Sequence, residues 1–140
     1  MSATNTPSTT ARQLQEQQVH YLRFAVNYND PGIAAGVKKQ TLPKGALLIG
    51  TDVYIGAAFN AATTNVLTVG SAAGSNADIV SAAAENEGAT GLTQNIPPTG
   101  AMLGPLAADT PVFVQYTQTG AAATAGSAVV IVKYIPNNDM

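Results

Sequence analysis

Hydrophobic and polar side chains alternate along short segments of this chain, and the alternation predicts β-strands. In residues 21–28, the side chains of Leu22, Phe24 and Val26 fall on one face of an extended chain. Arg23 falls on the opposite face. A period of two is typical of a strand with one buried face. The segment therefore predicts a first strand, which the turn-forming sequence Asn-Asp-Pro-Gly then ends.

Similar alternation, or a β-branched composition bounded by glycine, proline and asparagine, predicts further strands. These segments are 37–40, 46–49, 52–59, 65–70, 78–83, 111–116 and 128–135. Residues 78–83 could also form one helical turn, but a strand is favoured. Residues 129–132 are apolar on both faces, as expected of a strand in the middle of a sheet. Residues 84–100 are predicted to form a long loop with short pieces of order.

About eight short strands, with no segment long enough for a helix, predict an antiparallel β-sandwich or barrel. Residues 43–48 and 98–103 share the pattern P-x-G-A-[LM]-L, and each copy precedes an Asp and a strand. Two equivalent corners of a doubled Greek key would explain this repetition, and a jelly roll contains such corners. We therefore predict an all-β fold: an antiparallel β-sandwich, specifically a jelly roll, with an extended N-terminal arm.

The two ends of the chain differ from this middle part. Residues 1–18 are mostly small and polar, and such a segment cannot bury enough apolar area to order itself alone. Two interpretations stay open, a frayed terminus or an arm that orders on a neighbouring subunit. The predicted division is a polar arm at 1–18, a jelly-roll domain at 19–136 and a short tail at 137–140.

Charge is scarce in this sequence. Charged residues make up 10% of the chain, against about 25% in a typical domain, and the net charge is −2. Without a basic surplus to neutralise phosphates, nucleic acid is not an expected partner. No stretch approaches the ~20 continuous apolar residues of a membrane span. The absence of cysteine rules out disulfides and thiolate chemistry.

The residues that could carry chemistry do not form a recognisable site. His20 is the only histidine, so a two-histidine metal site or a complete Ser-His-Asp triad is not expected within one chain. Glu85 and Glu87 could share a strand face for acid–base work, but on a polar loop we expect both to be solvated. Three aspartates start predicted strands and are expected to cap backbone N–H groups: Asp52, Asp78 and Asp109. We predict no catalytic residue, cofactor or metal, and no enzyme activity.

A charge-poor surface favours contact with other proteins. Interface cores are depleted in charge, because a desolvated charge costs more than its partner usually returns. Low charge also reduces the solubility of a free monomer. The composition therefore favours a protein that assembles with copies of itself or with a larger scaffold.

Four segments together carry a resemblance to a known family. They are Tyr-Leu-Arg-Phe at 21–24, Leu-Pro-Lys-Gly-Ala-Leu at 42–47, Ala-Phe-Asn-Ala-Ala-Thr-Thr-Asn-Val-Leu-Thr-Val-Gly at 58–70, and the closing strand within 124–134. With the polar arm, they resemble the capsid cement (decoration) proteins of tailed bacteriophages with HK97-like heads. Residues 58–70 are the most specific part, and the resemblance covers most of residues 20–135.

The resemblance implies a jelly roll that pairs on the outer surface of a capsid. The implied partners are the major capsid protein and a second copy of the chain, and the implied location is the virion, after synthesis in the host cytoplasm. Contact residues are predicted from charge and position rather than from the family. They are Arg12 and Gln15 in the arm, and Arg23, Lys38 and Lys39 beyond it.

Two other functions stay open at this point. One is a head-fibre or tail-associated virion subunit, although a fibre usually shows a sustained repeat that this chain lacks. The other, from a different class, is a carbohydrate-binding β-sandwich, although the chain has no tryptophan and only five tyrosines.

Overall fold

The computed structural model describes residues 19–74, 77–84 and 86–136. Within these residues the chain forms seven strands and one short 3-10 helix, at Gly100–Leu103. The strands are β1 (His20–Asn27), β2 (Val37–Leu42), β3 (Leu47–Ala57), β4 (Thr64–Gly70), β5 (Gly91–Ile96), β6 (Thr110–Thr119) and β7 (Ser127–Ile135). The predicted arm at 1–18 and tail at 137–140 lie outside the described residues.

The strands form two antiparallel sheets. The four-stranded sheet has the order β1-β7-β3-β5, and the three-stranded sheet has the order β2-β6-β4. The seven strands of the described residues alternate between the two sheets in chain order. Each connection between them therefore crosses from one sheet to the other, and no two consecutive strands among them form a hairpin.

The core lies between the sheets and takes one face of each strand. In β1, Leu22, Phe24 and Val26 are buried and the residues between them are exposed, which confirms the predicted alternation. β7 lies between β1 and β3, and its Val130 and Val132 are fully buried. The expectation that residues 129–132 belong to a central strand is therefore confirmed.

Three details of the predicted strand pattern were wrong. Segments 46–49 and 52–59 form one strand, β3, because register irregularities let it bend and continue without a turn. Segment 78–83 supplies only a single bridge, between Val69 and Val80. These residues then turn away from β4. The turn is held by hydrogen bonds from Ser71 to the Asp78 side chain and from the Ala84 N–H to the Ser81 carbonyl oxygen.

The third detail is β5, which lies inside the predicted loop 84–100. Only Ile96 of its six residues is buried, so the strand has no alternation to detect. It is an edge strand, and Asn95 adopts a positive φ of 59° where the β3–β5 register shifts.

The two copies of the repeated pattern occupy comparable places. Residues 43–48 follow β2 and enter β3, and residues 98–103 follow β5 on the way to β6, so both lie where the chain changes sheets. The two connections also touch. The Gly45 N–H donates to the Leu106 carbonyl oxygen at 2.8 Å, and the Leu106 N–H donates to the Ala46 carbonyl oxygen at 3.0 Å.

The loop before β7 depends on a glycine that packs against the core. Gly126 has a φ of +150°, and a Cβ added there would overlap the buried Phe59 ring. Replacing Gly126 with Ala should lower the free energy of unfolding by about 1–3 kcal/mol, because the ring cannot move without disturbing the core. Denaturant titration measures this change.

Gly104→Ala is the matched control, since Gly104 has extended backbone and open space around it. It should leave the unfolding free energy unchanged within about 0.5 kcal/mol. Equal stability of the two variants would contradict the packing constraint at Gly126.

Candidate contact surface

Three aspartate side chains accept hydrogen bonds from backbone N–H groups. Asp52 accepts the Asn95 N–H at 2.9 Å, Asp78 accepts the Ser71 N–H at 2.9 Å, and Asp109 accepts the Lys44 N–H at 2.9 Å. The predicted bonds to backbone N–H groups are confirmed, but only Asp109 directly precedes a strand, because Asp52 lies within β3 and Asp78 starts no strand. Within residues 19–74, 77–84 and 86–136, no group of three or more His, Asp or Glu side chains is placed to hold a metal ion. In the same residues, no helix has the length and hydropathy needed to cross a bilayer.

Glu87 is buried, so the expectation that it is solvated was wrong. Its Oε1 accepts the Leu67 N–H of β4 at 2.6 Å, and its carbonyl oxygen accepts the Phe59 N–H at 2.8 Å. β4 is an edge strand, and the carboxylate satisfies a backbone donor that a neighbouring strand would otherwise take. Glu85 lies outside the described residues.

Tyr116 lies beside this carboxylate. The Tyr116 hydroxyl donates to the Asn65 Oδ1, and its ring packs on Phe59 with centroids 4.7 Å apart. Burial, and secondly the charge of Glu87, raise the pKa of the Tyr116 phenol above 10.0, against an opposing contribution from the Ala61 backbone. This cluster joins the loop around residue 87 to the core and is a structural feature.

The predicted contact residues fall on two sheets. Arg23 is exposed on β1, and its carbonyl oxygen accepts the Gln40 Nε2 of β2 at 3.0 Å, so β1 and β2 meet at one side of the sandwich. Lys38 is exposed on β2, and the neighbouring Lys39 lies 3.6 Å from the Asp30 carboxylate. Arg12 and Gln15 lie outside the described residues.

Sequence reasoning did not find the most distinctive surface, which is the outer face of the four-stranded sheet. Among the described residues, eight large hydrophobic side chains are exposed, and six of them belong to strands of this sheet. These six are Tyr21, Leu47, Ile49, Tyr54, Leu92 and Ile135. Half-buried Val129 and Ile131 of β7 lie among them. We call this surface the apolar face.

The outer face of the three-stranded sheet is different. All exposed residues of its described strands are polar, namely Lys38, Thr41, Thr64, Thr117, Gln118 and Thr119, and its outward apolar residues Val66 and Phe113 are half-buried. The exposed apolar side chains are therefore unevenly distributed between the two sides of the sandwich. Exposed apolar area concentrated on one side marks an interaction surface.

Few charges interrupt the apolar face. Lys133 Nζ lies 3.2 Å from the Asp52 Oδ1 and donates to the Asn95 Oδ1 at 2.9 Å. Arg23 takes part in no ion pair with the described residues. The apolar face thus carries one neutralised pair and one cation that is available to a partner.

Comparison with known proteins gives matches by structure alone. No protein-family profile and no curated protein matches the sequence. A chain in the capsid asymmetric unit of cyanophage Pam1 matches with a TM-score of 0.63 and 22% identity, over 97% of this chain and 99% of that one. A chain in the capsid of Ralstonia phage GP4 matches with a TM-score of 0.60 and 18% identity, over 87% and 86% of the two chains. These likenesses show a shared fold.

The raised pKa of Tyr116 predicts a loss of stability in alkali. Above pH 10.0 the unfolded chain releases the phenol proton while the folded chain keeps it, so the free energy of unfolding falls as pH rises toward the native pKa. Tyr116→Phe should make this fall shallower in denaturant titrations across that range. Tyr21→Phe, which changes an exposed phenol, is the control and should retain the wild-type slope. Equal slopes in the two variants would show that Tyr116 does not contribute.

Proposed function

We propose that this protein is a structural component of a phage virion that binds the outside of an assembled capsid and stabilises contacts between major capsid protein subunits. The observation that carries the proposal is the apolar face on a fold shared with chains of two phage capsids. The match to the Pam1 chain covers nearly all of both chains. A chain of similar length and fold is therefore part of that capsid.

The strand arrangement supports a jelly roll as the finer description of the fold. A jelly roll has eight strands in two sheets, arranged as two Greek keys. Here seven strands form two sheets, and the bridge at Val80, which follows β4 in the chain, lies beside β4, where a fourth strand of the smaller sheet would lie. We interpret Val80 as the remnant of an eighth strand.

A capsid cement acts by mass action. A protein that binds the assembled lattice and not its separated subunits stabilises the lattice by RT ln(1 + [L]/Kd) per site. This mechanism needs no covalent bond to form or break. It agrees with the role of the aspartate side chains, which accept hydrogen bonds from backbone N–H groups. The protein in this proposal works without a cofactor and resides on the capsid surface.

The proposed contacts with the capsid come from the arm and from one side of the sandwich. Lys38 is exposed, and with Lys39 it can approach carboxylates of the major capsid protein. Arg12 and Gln15 belong to the proposed arm at residues 1–18, which would reach a neighbouring subunit. A second copy would multiply the affinity, because the second contact on the same lattice becomes intramolecular.

A carbohydrate-binding function has less support. A surface cavity beside β5 is lined by Ser81, Thr93, Gln94, Asn95 and Thr99, with small or apolar residues between them. None of its described lining residues is aromatic, and stacking on an aromatic ring is the usual basis of sugar recognition by such modules.

Particles that lack this protein should assemble but release DNA at a lower temperature than complete particles. The physical reason is the lost binding free energy at each lattice site. Access of a DNA-binding dye during heating measures the release. Adding the purified protein back should restore the original temperature. Identical release curves with and without the protein would contradict the cement function.

Deleting residues 1–18 should weaken binding to particles that lack the protein by about tenfold or more, because one of several linked contacts is lost. Co-sedimentation with the particles measures the binding. Deleting residues 137–140 is the control and should leave binding unchanged. The far-ultraviolet circular dichroism of both variants should keep its β signal. A truncated arm with full affinity would place the capsid contact elsewhere.

A further inference from the structure

The apolar face has a register that makes it complementary to itself. β7 runs along its middle, with β1 on one side and β3 on the other. In one row across the sheet, Arg23 and Asp52 both pair with Ile131 and therefore flank it. In the next outward-facing row, Ala25 and Tyr54 flank Val129 in the same way.

We propose that two copies of this chain pack through their apolar faces, related by a two-fold axis that runs parallel to β7. This inference rests on the self-association in the proposed function and assigns it to a surface. The rotation exchanges the two sides of β7. It therefore brings Arg23 of each copy to the partner's Asp52, and Ala25 of each copy beneath the partner's Tyr54. Ile131 and Val129 lie near the axis and face their own counterparts.

The positions of the charged residues favour this axis over a two-fold axis that runs across the strands. An axis perpendicular to the strands would lay β1 on β1 and β3 on β3, so that Arg23 would face only residues of β1, none of which is acidic. Charges buried without a partner cost several kcal/mol, roughly, and like charges repel. The parallel axis instead pairs each Arg23 with an acid, twice by symmetry.

Lys133 does not oppose this arrangement. It belongs to β7, but its Nζ is drawn sideways to Asp52 at 3.2 Å and to Asn95 at 2.9 Å. The ammonium groups of the two copies are thereby held away from the axis. Asp52 then has a cation from its own chain on one side and can accept the partner's Arg23 on the other.

The proposed axis sets the size of the contact. Because it runs along β7, the β1 and β3 strands of one copy lie over β3 and β1 of the other, and β5 extends beyond the partner's sheet. Strands about 4.8 Å apart with about 3.4 Å per residue give the three overlapping strands a flat area of about 400 Å². Two copies would bury about 800 Å², which is in the range of weak or transient interfaces. Tyr21 and Tyr54 raise the true contact area because their side chains project from the sheet, and such an interface suits a dimer that is reinforced on a capsid.

Charge reversal tests the register directly. Arg23→Asp and Asp52→Arg should each raise the dimer dissociation constant more than about tenfold, because each homodimer then contains two like-charge pairs. An equal mixture of the two variants should dimerise again, since both pairs in the heterodimer are complementary. Sedimentation velocity measures the dissociation constants, and circular dichroism checks that each variant is folded. Two variants that dimerise as the wild type does, or a folded mixture that stays monomeric, would overturn the proposed register.

Cross-linking tests the face independently of charge, and the chain has no native cysteine to interfere. Ile131→Cys should cross-link to itself with a short bis-maleimide, because sheets packed face to face lie about 10 Å apart. Ala25→Cys and Tyr54→Cys should cross-link efficiently to each other in a mixture. Thr117→Cys, exposed on the three-stranded sheet, is the control and should stay monomeric on a denaturing gel.

The outcomes separate this inference from the cement function. Cross-linking only through Thr117→Cys, or a wild-type chain that is strictly monomeric at high concentration, would overturn the dimer proposed here. Capsid stabilisation would then still be decided by the thermal release of DNA. Conversely, efficient cross-linking at position 131 with unchanged particle stability would support the dimer and contradict the cement function.

Discussion

The insertion of β7 between β1 and β3 is the constraint on which the rest of the structure depends. β1 and β3 form no pair with each other, so the four-stranded sheet exists only when the last strand of the chain joins the first to the third. The same strand supplies buried valines to the core and half-buried apolar residues to the opposite face. Because the two strands of every pair are distant in sequence, the chain loses loop-closure entropy before these contacts can form.

Several of the scarce charged side chains stabilise the backbone of loops and strands. Asp52 and Asp109 accept backbone N–H groups, and Glu87 completes the hydrogen bonding of an edge strand. Asn60 does the same for a loop, where its Oδ1 accepts the N–H groups of Thr124 and Ala125. Charged residues are few, and several of them bond to the backbone, so large parts of the surface carry no charge. The apolar face can therefore approach another protein at a small cost in desolvation.

Strands could be predicted from the sequence where one face is buried and the other is exposed. β1 follows this pattern, and the apolar run in β7 correctly indicated a central position. β5 could not be found, because an edge strand with a single buried residue has no alternation. Residues 78–83 were misassigned because Ile79 and Val80 are buried at a turn, where burial does not require an extended chain. Local hydrophobicity reports burial, and only hydrogen bonding to a neighbour defines a strand.

The sequence by itself determined the all-β class, the inward-facing residues of the clearest strands and the shortage of charge. These properties depend on side-chain alternation and composition, which are local. The tertiary structure alone decided which outward-facing residues lie side by side. Arg23, Ile131 and Asp52 are far apart in the chain, and the register of β1, β7 and β3 places them in one row. That register is set by the packing of the opposite faces in the core, so the apolar face follows from the fold as a whole.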